Sequence, residues 1–249
     1  MKLLIDVGNS RIKSAILEQG RVHSHLASQY HEQEIESIFD SMLTEQLETS
    51  QVVVASVAGE AIELQIRNYF SRRCSAEPRF IKTSQEAAGL SNGYEDATQL
   101  GVDRWLAMIA AWNNFKSPVC IVDLGTALTI DMVANDGCHL GGYIVPGLRL
   151  MSDSLVMNTR QISIKPLEIA ANVEPGQNTD SCIANGVMLA IKSLIEAACR
   201  NFSKEYGSAA RCILTGGNAE QVMKGLDMEF EYEPHLVLKG IAVLIGEPE

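Results

Sequence analysis

Apolar and polar positions alternate along this chain in a pattern that occurs twice. Residues 2–5 are apolar after the leading Lys2 and are followed by Asp6-Val7-Gly8-Asn9-Ser10. Ile12 to Leu17 is a second apolar-rich run, and Glu18-Gln19-Gly20 is a turn signal. The pattern predicts strand, tight polar loop, strand, turn, strand. Val119-Cys120-Ile121-Val122 is again apolar, then comes Asp123-Leu124-Gly125-Thr126-Ala127. Leu128 to Val133 predicts the next strand, and Asn135-Asp136-Gly137 a turn. The two Asp-x-Gly loops lie 117 residues apart (6 to 123), too long a period for a solenoid. The repeat predicts two related α/β domains, residues 1–118 and 119–249, divided near Ser117-Pro118.

The other elements fit that scheme. Gln51 to Val57 and Arg211 to Thr215 predict one later buried strand in each half. Ile35, Ile38, Phe39, Met42, Leu43 and Leu47 fall at helical spacing. So do Ile183, Val187, Ala190, Ile191, Leu194, Ile195, Ala198 and Phe202, in a longer helix over 180–206. Thr179 or Asp180 is placed to cap that helix and Gly207 to end it. Leu236 to Ile245 predicts a short apolar C-terminal helix.

Composition narrows the class. The chain has 249 residues, 46% of them hydrophobic and 20% charged, which excludes a disordered protein. No apolar run approaches the roughly 18 residues that span a bilayer. The three-residue apolar stretch after Lys2 is far short of a secretory core of about 7–15. The expectation is a cytoplasmic protein with no membrane partner. The net charge is −11. Residues 1–118 hold 11 basic and 15 acidic side chains, a balance of −4, and residues 119–249 hold 9 and 16, a balance of −7. Neither half has the basic excess of a nucleic-acid partner. Cys74, Cys120, Cys138, Cys182, Cys199 and Cys212 form no CxxC pair, so neither a zinc site nor a disulfide framework is expected. They read as reduced, mostly buried small side chains.

Four segments could carry chemistry. In Asp6 to Lys13, glycine lets the backbone turn sharply, and Asn9, Ser10 and successive amides can hold an anion. Asp6 could face a metal ion and Lys13 a phosphate. An ordinary hairpin turn is the plain alternative, and the repeat at Asp123 to Thr126 favours the functional one. In Gly101-Val102-Asp103-Arg104-Trp105, Asp103 precedes an apolar run and so lies near a helix N-terminus. A carboxylate there can take a proton from a hydroxyl, and Arg104 suits a carboxylate or phosphate. The alternative is a surface ion pair, with Trp105 in the core. Gly141-Gly142-Tyr143-Ile144-Val145-Pro146-Gly147 and Leu214-Thr215-Gly216-Gly217-Asn218-Ala219 are each either structural turns or places of close ligand approach. The sequence lacks G-x-x-x-x-G-K-[ST], G-x-G-x-x-G after a strand, and G-x-S-x-G. His23, His25, His31, His139 and His235 read as surface residues, the first three in a loop after the N-terminal hairpin.

These segments, in this order, resemble type III pantothenate kinase: Asp6-x-Gly-Asn-Ser-x-x-Lys13, Gly101-x-Asp103-Arg104-Trp105, Asp123-x-Gly-Thr126-Ala127 and Gly141-Gly-x-Ile-x-Pro-Gly147. The resemblance runs the length of the chain. It implies two ribonuclease-H-like domains of the acetate/sugar kinase–chaperone–actin superfamily. It also implies phosphorylation of pantothenate by ATP, the first step of coenzyme A synthesis. By that resemblance Asp6, Val7, Gly8, Asn9, Ser10, Arg11, Ile12, Lys13 and Thr126 contact ATP. Asp103 is the general base, and Tyr94, Gly101, Val102, Asp103 and Arg104 bind pantothenate. Thr179 is a substrate contact contributed across a homodimer interface. Asp123 helps bind potassium or ammonium, and magnesium comes with ATP. One departure is Ala97, where the family often has proline, which puts the rigidity of that loop in question. Other readings are an accessory factor in transcriptional activation, another small-molecule kinase or phosphatase of the superfamily, and an actin-like filament or chaperone. The intact Asp103 and the −11 charge favour the enzyme.

Overall fold

The computed structural model describes residues 1–30, 35–43, 51–73, 77–158 and 174–246. Leu47, Cys74 and His31 lie outside them. The chain divides into two compact units, Met1–Asn114 with His235–Glu249, and Phe115–Pro234.

In the first unit, β1 (Lys2–Val7), β2 (Arg11–Glu18), β3 (Arg21–Gln29), β4 (Gln51–Ser56) and β5 (Arg79–Phe80) form a sheet ordered β3-β2-β1-β4-β5. β1 runs antiparallel to β2 and parallel to β4. Leu3, Ile5 and Val7 share one face with Val52, Val54, Ile12 and Ile16. The helices α1 (Ile35–Met42) and α2 (Glu60–Arg73) fill that face with Phe39, Ile62, Ile66, Tyr69 and Phe70. Leu4 and Val53 are fully buried as well but lie outside that cluster. Burial on both faces explains why these strands read as unbroken apolar runs. Each such side chain contributes roughly 1.5–3 kcal/mol on burial.

The second unit repeats the plan. β8 (Val119–Leu124), β9 (Ala127–Val133), β10 (His139–Pro146), β11 (Arg211–Thr215) and β12 (Glu231–Tyr232) are ordered β10-β9-β8-β11-β12. β8 is antiparallel to β9 and parallel to β11. Strand for strand, the order and direction match the first sheet, so the 117-residue repeat is a duplicated fold. Between the sheets in sequence come the hairpin β6 (Glu86–Ala87) and β7 (Leu90–Ser91), and α3 (Val102–Phe115). The second unit adds α4 (Leu148–Asn158), α5 (Thr179–Tyr206) and α6 (Ala219–Met223). α5 lays Val187, Ile191, Ile195, Cys199 and Phe202 against Cys120, Val122, Ile130 and Leu214 of the sheet.

Several expectations need correction. The C-terminal helix α7 (Leu236–Leu244) belongs to the first unit, not to a domain spanning 119–249. It packs on β1, β2 and β3. At Gly240 a Cβ would lie 2.1 Å from the Leu106 carbonyl oxygen, so only glycine permits that approach to α3. Asn178, rather than Thr179 or Asp180, caps α5: its side chain accepts from Ser181 N at 2.9 Å in a capping box. Gly207 ends the helix at φ 62°. Gly141 to Pro146 is strand, not turn, with Gly141 at φ 103° beside a bulge. His23 and His25 lie on β3, not in a loop, and His25 stacks on His235 with ring centroids 3.7 Å apart. His139 is buried, not superficial, with its Nε2 3.1 Å from the buried Asp131 carboxylate. α5 is long and apolar enough to cross a membrane by length and composition, contrary to the reading of apolar runs. Half of that window is buried, on the sheet of its own unit.

Candidate active site

The site residues fall on both units.

In the first unit, β1 and β2 are joined by the predicted polar loop. Gly8 N donates to Arg11 O at 3.0 Å, which closes the turn. Asn9, Ser10 and Arg11 are exposed at its tip. Asp6 is buried and faces Lys13 as its register partner across the strand pair. Tyr30, just past β3, braces the loop at two points. Its N–H donates to Ser10 O at 3.3 Å and its hydroxyl to Gly8 O at 2.7 Å. Nothing in the local sequence pointed to this, because Tyr30 lies twenty residues beyond the loop it holds.

Asp103 lies in the first turn of α3, as the apolar run after it predicted. The helix N-terminus favours its charge. Its Oδ1 accepts from Arg104 N at 2.8 Å. A Cβ at Gly101 would lie 2.6 Å from Asp103 Oδ1, so the bare glycine leaves that carboxylate in its present position. Trp105 is fully buried, in accord with its core assignment. Arg104 is buried too, which sets aside the exposed ion pair. Its Nη1 donates to the Tyr94 hydroxyl at 2.9 Å, with Cζ 5.6 Å from the ring centre.

Tyr94 is carried by a loop with its own framework. The buried Asn92 accepts from Tyr94 N at 3.0 Å and donates to the carbonyls of Ser84 and Ala97, both at 3.4 Å. Ala97 opens a short 3-10 turn, Ala97–Gln99, capped by Asp96. The Thr98 hydroxyl and backbone N–H both donate to that carboxylate, at 2.6 and 3.0 Å, and hold it below its ordinary pKa in that order of importance. Thr83 adds a bond to Leu100 O at 2.8 Å. Side-chain bonds thus supply the order that the absent proline would have given at position 97.

In the second unit, Gly125 N donates to Ala127 O at 3.0 Å, the counterpart of the Gly8 turn. Thr126 is exposed and Asp123 half-buried. The two glycine-rich segments left open by sequence both close on this loop. Gly147 N donates to Thr126 O at 2.9 Å, and a Cβ at Gly147 would lie 2.5 Å from Gly125 O. Gly216, at φ 97°, has room for no Cβ, which would stand 2.4 Å from Asp123 Oδ1. Both glycines are therefore structural supports of the loop. Thr179 is exposed at the start of α5.

A family model for type III pantothenate kinase matches residues 2–201. The type III pantothenate kinase of Teredinibacter turnerae is 35% identical over 252 residues, which cover 98% of this chain and 98% of that one. That of Pseudomonas aeruginosa is 34% identical, with the same coverage of both chains. Two solved structures share the fold at low identity. A Campylobacter jejuni protein described as a Baf family transcriptional activator superposes with a TM-score of 0.62 at 22% identity, covering 98% of each chain. A Sinorhizobium meliloti protein described as a 2-dehydro-3-deoxygalactonokinase gives 0.59 at 13% identity, again over 98% of each.

Proposed function

This chain belongs to the type III pantothenate kinase family, and we propose that Asp103 is the base of its reaction, phosphorylation of pantothenate by ATP at the entry to coenzyme A synthesis. The observation that carries the assignment is the placement of Asp103 in the first turn of α3, spaced by Gly101 and beside the buried Arg104. Phosphoryl transfer depends on positioning and charge neutralisation more than on covalent chemistry. Asp103 accepts the proton of the pantothenate hydroxyl as it attacks the γ-phosphorus of ATP. Arg104, held by Tyr94, meets the pantothenate carboxylate, and Val102 and Gly101 shape the same wall. Thr179 approaches that substrate from a second copy of the chain. The loop Asp6 to Lys13 and Thr126 hold the triphosphate through amides, hydroxyls and the Lys13 ammonium.

The Asp123 carboxylate is an oxygen donor of the kind hard cations take. Its Oδ1 lines a cradle that a Cβ at Gly216 would fill, 2.4 Å away. Potassium or ammonium bound there, and magnesium carried by ATP, would offset phosphate charge when present.

Homodimerisation is supported by exposed apolar side chains on elements that pack together in the second unit. They are Leu140, Tyr143 and Ile144 on β10, Leu155 and Met157 on α4, and Leu189 on α5. A second copy covering them would remove an uncommon apolar surface from water. With both substrates anionic small molecules of central metabolism, the cytoplasm is the compartment proposed. A regulatory role is not favoured, because the likeness to the Campylobacter jejuni activator extends to fold alone.

Asp103→Asn tests the assignment. Turnover falls by about two orders of magnitude or more, while ATP and pantothenate still bind by calorimetry. Near-normal turnover would place the base elsewhere.

A further inference from the structure

The second unit holds a thiol cluster that phosphoryl transfer does not use. Cys120 lies on β8, Cys212 on β11 and Cys199 on α5. Cys120 and Cys212 are register partners in a parallel pair, so their side chains leave the same face of the sheet. α5 covers that face, and the sulfurs of Cys120 and Cys199 are 3.7 Å apart. Both of these residues are buried, and Cys212 is half-buried. Cys212 is near enough to Cys120, Cys199 and the side chain of Ser203, one turn beyond Cys199 on α5, for each to act on its thiol. The described cysteines are all free thiols.

Three thiols grouped on one covered sheet face do not behave as three small apolar groups. A thiolate among S–H donors is stabilised by them, and the remaining protons become harder to remove. Cys212 is the group pushed down, by the bond from Cys120 first and that from Cys199 next, against burial. Cys120 is pushed well up, by its bond to Cys199, then to Cys212, then by burial. The least buried of the three residues is thus also the one most readily present as a thiolate.

We propose that this cluster is a peroxide-oxidised disulfide site, with Cys212 as the attacking sulfur and one of its two buried neighbours as the resolving thiol. The Cys212 thiolate attacks one oxygen of hydrogen peroxide. The O–O bond breaks, and the departing hydroxide takes the proton shed by Cys212 to become water. Cys212 is then a sulfenic acid. The neighbouring thiol sulfur attacks it, the S–O bond breaks, and the leaving hydroxide takes that thiol's proton as a second water. One peroxide is reduced and two thiols are oxidised. A bond to Cys199 ties α5 to β11, and a bond to Cys120 ties β11 to β8, three residues before Asp123. An external dithiol reverses either.

The test is mass spectrometry of the whole protein and its peptides after hydrogen peroxide, with activity not required as a readout. Its outcome is therefore independent of the kinase assignment. The expected product has lost two hydrogens, and its linked peptides join Cys212 to Cys199 or Cys120. Dithiothreitol restores the starting mass. Cys212→Ser slows disulfide formation in the cluster about tenfold or more, whereas Cys182→Ser, at an exposed cysteine, leaves it unchanged. In the unaltered protein, a 1,3-dione that traps sulfenic acids labels Cys212, which covers the case of a variant that fails to fold. Oxidation confined to Cys74 or Cys182, or a Cys120–Cys199 bond formed in Cys212→Ser at the unaltered rate, would overturn the proposal.

Discussion

Arg104 Nη1 donates to the Tyr94 hydroxyl at 2.9 Å, from a residue only 8% exposed. A buried cation needs its partners. Tyr94 supplies one and, through the loop held by Asn92, fixes the position of the group beside α3. In Tyr94→Phe the ring remains and this bond is lost. A hydrogen bond to a charged group is worth about 1.5–3 kcal/mol, so KM for pantothenate rises roughly tenfold or more. The value of kcat falls much less, and KM for ATP stays constant. Steady-state kinetics with each substrate varied in turn checks this.

Gly101→Ala acts differently. Its new Cβ would lie 2.6 Å from Asp103 Oδ1, and that short side chain must turn aside. Displacing a reacting group by about 1 Å can cost roughly a hundredfold in rate. The expected result is a large loss of kcat with nearly unchanged thermal stability. Loss of the fold instead, seen by circular dichroism, would assign the glycine a structural role.

Tyr30→Phe removes the 2.7 Å bond to Gly8 O and keeps the ring packed. One hydrogen bond contributes about 1 kcal/mol, so KM for ATP rises about fivefold and that for pantothenate is unaffected. Equal effects on both substrates would contradict a role confined to the Gly8 loop.

These three residues also mark where sequence was informative. The turn at Gly8 and its copy at Gly125 were legible because a strand ending in Asp-x-Gly carries its own local signal. Asp103 was legible because the apolar run from Leu106 to Ala111 implies a helix that begins just before it. The identical order of the two sheets followed from the repeat. Long-range supports were not legible. Tyr30 holds Gly8 from the end of another strand, and Gly147 and Gly216 converge on the Asp123 loop from separate parts of the second unit. No local pattern encodes such closeness. The C-terminal helix is apolar on most of its surface, so its pattern says that it is buried but not against which sheet. His139 was misjudged for a similar reason: its buried partner Asp131 lies across a hairpin whose bulge hides the pairing.

The most direct test of the account is ADP release coupled to pantothenate phosphorylation, measured with and without potassium. ADP should form only when pantothenate is present, in equal amount to 4'-phosphopantothenate, and the rate should fall severalfold or more when potassium is replaced by a large organic cation. Asp123→Asn should remove most of that potassium response. No pantothenate-dependent ADP above background in any monovalent salt would contradict the central claim.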